Sequence, residues 1–67
     1  MPTYLLERDK RSLGRGIMVG AYLHRTGIQV EELVAEDEGR RNILRCQELP
    51  KAALDYIQGI GFSVSLV

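Results

Sequence analysis

One cysteine and one histidine are all that this sequence holds of the residues that most often carry covalent or metal chemistry. Cys46 is alone, which excludes an intrachain disulfide and the disulfide-dense scaffolds of small secreted domains. His24 is also alone, with no cysteine near it in sequence. That excludes a zinc site, which needs about three or four ligands. No apolar run approaches the roughly 20 residues of a membrane span. Met1-Pro2-Thr3-Tyr4 has no basic stretch leading into an apolar one, so no signal peptide is expected and the expected location is cytoplasmic. Net charge is absent too, because nine Lys+Arg balance nine Asp+Glu. This removes any global electrostatic pull toward nucleic acid or membrane.

The 67 residues make one domain, spanning 1–67. A chain this short buries only about 60% of its unfolded surface, so its core is thin and self-association helps it. Its charges are unevenly spread. Arg8, Lys10, Arg11 and Arg15 cluster early, and Glu31, Glu32, Glu36, Asp37 and Glu38 cluster in the middle. Such a distribution makes either a dipolar surface suited to self-pairing or two solvated faces.

The richest signal is a pattern that occurs twice. Gly27-Ile28-Gln29-Val30 and Gly61-Phe62-Ser63-Val64 each follow a helical stretch with a glycine and then an alternating strand. Glycine takes the left-handed conformation at the C′ position of a helix at little cost. The first helix is expected over Leu13 to Arg25, with Ser12 as N-cap and Val19, Tyr22 and Leu23 at helical spacing. Gly14, Gly16 and Gly20 each weaken it by up to ~1 kcal/mol against Ala, which points to close packing of its backbone. The second helix opens at Leu49-Pro50, with Pro50 at N1, and buries Ala53, Leu54 and Ile57.

Tyr4 to Arg8 reads as the first strand. Ile28, Val30, Leu33 and Ala35 form the second, and the slip of apolar phase at Glu31-Glu32 predicts a bulge. Glu36-Asp37-Glu38-Gly39 reads as a hairpin turn. Arg41 to Gln47 forms the third strand, and Phe62, Val64 and Leu66 mark a fourth with one face buried. The order is β-α-β-β-α-β, and right-handed crossovers then give a ferredoxin-like α+β sandwich. Its sheet is four-stranded and antiparallel in order 4-1-3-2, with both helices on one face. The second strand lies at an edge, where its acidic residues and bulge resist unwanted pairing.

No catalytic residue, metal ligand or cofactor is assigned. Gly14-Arg15-Gly16-Ile17-Met18-Val19-Gly20 has a spacing like a dinucleotide fingerprint, but the chain is too short for a doubly wound sheet. The amides from Leu13 to Gly16, at the positive end of a helix dipole, remain suited to a carboxylate or phosphate, with Arg15 beside them. The competing reading is that Gly16 and Gly20 let the helix lie close to the sheet. Cys46 is expected in the core. Asp9 has no spacing to Asp55 or Glu48 that marks a carboxylate pair. Arg40, Arg41 and Arg45 keep nucleic-acid binding open. Against it, the third strand has no aromatic for base stacking, and only Tyr4 is available on the first.

From Gly14 through Val30 the sequence resembles an ACT domain, a small regulatory module of amino-acid metabolism. The resemblance is carried by Gly14, by Gly27-Ile28-Gln29-Val30-Glu31, by the bulged continuation to Leu33, and by Gly61-Phe62-Ser63-Val64. Where the family loop reads Asp-x-Pro-Gly, this chain has Arg11-Ser12-Leu13-Gly14. The resemblance implies a non-enzymatic module that pairs along the second strand and first helix. It implies a small amino-acid-like ligand held at that homodimer interface by Leu13, Gly14, Arg15, Ile28 and Gln29. Gln29 supplies the amide donor and acceptor for the ligand's polar groups. Two other functions stay open: an interaction subunit that docks a larger protein, and a weak nucleic-acid binder.

Overall fold

The computed structural model describes residues 1–67. In chain order they form β1 (Thr3–Glu7), α1 (Leu13–Arg25), β2 (Val30–Glu36), β3 (Arg41–Cys46), α2 (Lys51–Gly59) and β4 (Ser63–Leu66). The sheet is antiparallel in the order β2-β3-β1-β4, which is the expected arrangement read from the other side. The fold is therefore a ferredoxin-like βαββαβ sandwich of the α+β class.

The repeated glycine pattern has a single physical explanation, met twice. At the end of α1 the Gly27 N–H donates to the His24 carbonyl, and the Ile28 N–H reaches back to that of Leu23. At the end of α2 the Gly61 N–H donates to Gln58 and the Phe62 N–H to Ile57. Each glycine has positive φ, at 77° and 108°. These are two Schellman closures, and each pins the first apolar residue after the glycine back onto its helix. Both exits therefore deliver an apolar side chain to the core side just where a strand begins.

The core lies between the helices and the two central strands. Leu6 and Leu44 from the sheet, Val19 and Leu23 from α1, and Ala53 and Ile57 from α2 are wholly buried. Cys46 is buried with them, and burial pushes its thiol up from its ordinary value. The folded state thus holds that proton more tightly than the unfolded chain does. The associated stability is complete below the unfolded pKa and is lost as pH rises through the folded one. A seam of aromatic rings joins the helices, with Tyr22 stacked on Tyr56 at 4.1 Å between centroids.

Tyr4 ties β1 to the segment that leads into α2. Its hydroxyl accepts a buried hydrogen bond from the Leu49 N–H at 3.0 Å. Tyr4→Phe leaves that amide buried without a partner, which costs about 1–3 kcal/mol. The expected result is a lower urea midpoint with an unchanged m-value.

Several local expectations are corrected by the structure. Ser12 occupies the N-cap of α1, but its hydroxyl makes no capping hydrogen bond. Pro50 is the N-cap of α2 rather than N1; it is extended, and its carbonyl receives the Ala53 and Leu54 amides. The strand β2 starts at Val30, with Ile28 and Gln29 preceding it. Its bulge falls between Val30 and Glu32, within one residue of the slip in the sequence. The strand β4 is covered only in part: Phe62 just before it is buried and Val64 is half-buried, whereas Leu66 is 70% exposed. Leu66 lies at the far end of an edge strand, so no strand flanks it on the outer side.

Candidate functional site

The side of α1 that faces β2 is built from residues one turn apart. Leu13, Gly16, Ile17, Gly20 and His24 fall along it, as the 3.6-residue period requires. Two of the five are glycines, so the helix has no side chain there to cover the edge strand. The sequence offers two readings of this glycine-rich stretch that can hold together, and the close-packing one is realised at Gly16 and Gly20. A Cβ on Gly16 would sit 2.7 Å from the Asn42 Oδ1, and one on Gly20 would sit 3.3 Å from the Leu33 Cδ2.

The result is a furrow between α1 and β2, in two parts that meet at Gly20. One part, about 300 Å³, is walled by Leu13, Ile17, Leu33 and Ala35, with Asn42 at its floor. The other, about 460 Å³, is bounded by His24, Gly27, Ile28, Gln29 and Val30. Leu13 and Ile17 are 59% and 71% exposed, so the furrow has an apolar outer rim. Asn42 is only 1% exposed. Its amide donates one long hydrogen bond, 3.4 Å to the Gly39 carbonyl, while its Oδ1 points at the Gly16 backbone.

The five residues expected to hold a ligand do not form one cluster within the chain. Leu13 lies on the furrow, and Ile28 and Gln29 line its other end. Those ends are separated by the length of α1, about 20 Å. Gly14 is exposed with only the Ser12 hydroxyl nearby, and the helical period turns Arg15 toward the α2 flank. The main chain of Gln29 is paired with Gln47: its N–H donates to the Gln47 Oε1 at 2.6 Å, and its carbonyl accepts the Gln47 N–H. Its side chain is exposed. The first turn of α1 carries no acidic residue and its amides have no side-chain cap.

Asn42 was missed as a site residue although the sequence carries a signal for it. It stands in the alternation Asn42-x-Leu44-x-Cys46, where a polar residue holds a core position. Ile17 was missed because it stands off the Val19-Tyr22-Leu23 stripe, where a single exposed apolar residue is ordinary.

The remaining candidates are dispersed. The early basic and middle acidic clusters touch through one exposed ion pair, Arg11 to Glu38 at 3.5 Å, while Asp37 pairs with Arg40 at 3.4 Å. Arg8 lies over the Phe62 ring at 6.0 Å. On the sheet face away from the helices, Arg41 meets Glu7 and Glu36, and Arg45 meets Glu31. Tyr4 faces the helices, so this face has no aromatic for base stacking. Asp55 pairs with Lys51 at 3.0 Å, and Asp9 and Glu48 follow antiparallel strands at opposite ends of the sheet. No group of three or more His, Cys, Asp or Glu is placed to hold a metal ion. No helix is long and apolar enough to cross a membrane.

By fold this is a ferredoxin-like α+β domain with an apolar furrow beside one edge strand. No family model, curated protein or solved structure matches the chain.

Proposed function

We propose that this chain is a non-enzymatic, ACT-like binding or regulatory module. It takes a small amino-acid-like or anionic ligand on the α1–β2 side, where a second copy completes the site. The observation that carries this reading is the furrow, opened by Gly16 and Gly20 and floored by the buried Asn42 amide. An apolar groove with a few convergent polar groups is the usual form of a small-molecule site.

Geometry also supplies a reason for the second copy. In one chain the Leu13–Arg15 end and the Ile28–Gln29 end lie a helix length apart. A two-fold axis across α1 sets two α1 helices antiparallel and brings one copy's Leu13 end against the other's Gln29 end. The exposed Leu13 and Ile17 become the contact. The acidic β2 edge then needs no ladder of its own. A carboxylate sits at the uncapped first-turn amides of one copy, where the helix dipole favours it. The Gln29 amide of the other copy grips the ligand's second polar group. Binding shifts the pairing equilibrium by the ligand's differential affinity for paired and unpaired forms.

Calorimetry against the proteinogenic amino acids, with sedimentation in parallel, tests this. Heat with at least one of them is expected. Ile17→Glu, a change at an exposed position, is expected to abolish that heat while leaving the unfolding free energy of the dilute, unpaired chain within about 0.5 kcal/mol of the parent. No heat with any amino acid overturns the reading.

A further inference from the structure

The sheet has two edges, and they are chemically opposite. The edge at β2 carries Glu31, Glu32 and Glu36 and is broken by a bulge. The edge at β4, Ser63-Val64-Ser65-Leu66, has no charge, no proline and no register shift against β1. Charges and bulges are what keep an edge strand from pairing with another chain. One edge of this domain has both devices and the other has neither.

The ladder determines which groups of β4 are free. The Val67 N–H donates to the Thr3 carbonyl at 2.9 Å, so Val67 and Thr3 form a hydrogen-bonded pair. Such pairs alternate along an antiparallel ladder, so Ser65 and Ser63 also turn their backbone groups toward β1. The N–H and C=O groups of Val64 and Leu66 therefore point outward, away from the sheet. The side chains of the same two residues lie on the helix face. They border a groove of about 410 Å³ that Leu49 and Leu54 also line, and Leu66 is 70% exposed there.

We propose that β4 is a self-pairing edge, and that it joins antiparallel to β4 of a second copy about a two-fold axis through Ser65. A two-fold axis normal to the sheet keeps each face on its own side, so opposed residues must have like parity. Two registers then engage the free groups of Val64 and Leu66. One is centred on Val64 and sets Leu66 against Phe62, but the Phe62 N–H is already given to the Ile57 carbonyl. The other is centred on Ser65. It makes Val64 and the second copy's Leu66 a hydrogen-bonded pair, repeats that pair by symmetry, and sets Ser65 against itself between them. The choice of a second copy rests on self-complementarity. The two residues with free backbone groups, Val64 and Leu66, are both apolar and flank Ser65, so the two-fold matches each to the other with no like charges opposed. Two β2 edges would instead oppose carboxylates. The pairing also covers Leu66 with Val64 on the helix face. It uses the edge remote from the furrow and does not depend on a ligand.

Cross-linking tests the register directly. Opposed residues of a non-hydrogen-bonded pair have Cα atoms about 4.5 Å apart, within the roughly 4.4–6.8 Å that a disulfide spans. Ser65→Cys, treated with diamide in the absence of any amino acid, is expected to run as a covalent dimer on a non-reducing gel. It is expected to do so equally in the Ile17→Glu background, which separates this contact from pairing across α1. The parent chain, whose only thiol is the buried Cys46, and Ser63→Cys, which faces Val67 in this register, are expected to stay monomeric on the gel. In sedimentation, Leu66→Lys is expected to halve the mass of the Ile17→Glu protein, and at concentrations low enough for both to be monomeric their thermal midpoints are expected to agree. The proposal is overturned if Ser65→Cys gives no dimer, or if Ser63→Cys cross-links as readily.

Discussion

Gly39→Ala is expected to be the most destabilising single-methyl change in this domain, at roughly 2–6 kcal/mol. Two independent costs add. Gly39 has a φ of 91°, a conformation that costs an L-residue about 1–3 kcal/mol. Its missing side chain also faces backbone rather than space. A Cβ there would approach the Ser12 carbonyl, 2.6 Å from its carbon, and the Leu13 amide nitrogen at 2.8 Å. Those atoms belong to the first turn of α1 and cannot rotate aside as a side-chain tip can. Forcing a methyl against them adds about 1–3 kcal/mol. The turn is already demanding, since Asp37 and Glu38 have φ of 50° and 54°. A domain of this size has about 0.05–0.15 kcal/mol of stability per residue, so the loss takes much of the total. The comparison is Gly27→Ala. Gly27 also has positive φ, but nothing lies within 4 Å of the added Cβ. Its cost is the left-handed penalty alone, about 1–2 kcal/mol. Urea denaturation of the two variants measures the difference. Equal losses would show that the turn does not press on the β1–α1 loop.

Leu44→Ala is the second large effect, expected at about 2–5 kcal/mol. Leu44 is wholly buried on a central strand, directly opposite Tyr4 on β1 and Leu33 on β2. Both helices lie on that face, and the surrounding side chains are held by two ladders, so the cavity has little freedom to close. Leu66→Ala removes the same atoms from the same face of the sheet. Leu66 is 70% exposed in the single chain, so the change is expected to stay within about 0.5 kcal/mol. Thermal unfolding of both at low protein concentration separates burial from residue type. A Leu66→Ala loss as large as that of Leu44→Ala would mean that β4 is already covered under those conditions.

The elements were legible because their signals are local. A glycine after an apolar helical run marks a Schellman closure, and both closures appear at the positions the sequence indicates. The bulge in β2 was legible because an extra residue reverses the inside–outside alternation of a strand. Reach was harder to see. The fourth strand alternates to its end, yet Leu66 is uncovered, because coverage depends on its neighbours rather than on its own pattern. The site was less legible still. Leu13, Ile28 and Gln29 border the furrow, but Gly14 and Arg15 do not, and Asn42 beneath it was read only as part of a strand.

The sequence by itself determined the order of strands and helices, the place of each helix exit and the guarded character of β2. These follow from backbone conformation, periodicity and charge within a few residues of chain. Only the tertiary structure decided what the glycines of α1 are for. Gly16 and Gly20 have no side chains to meet Asn42 and Leu33, and from that missing volume comes the furrow. It decided too that the early cations and the middle acids touch through Arg11 and Glu38, and that the free backbone groups of β4 belong to Val64 and Leu66. These outcomes depend on contacts between segments far apart in the chain, and no local pattern encodes the distance at which two such segments come to rest.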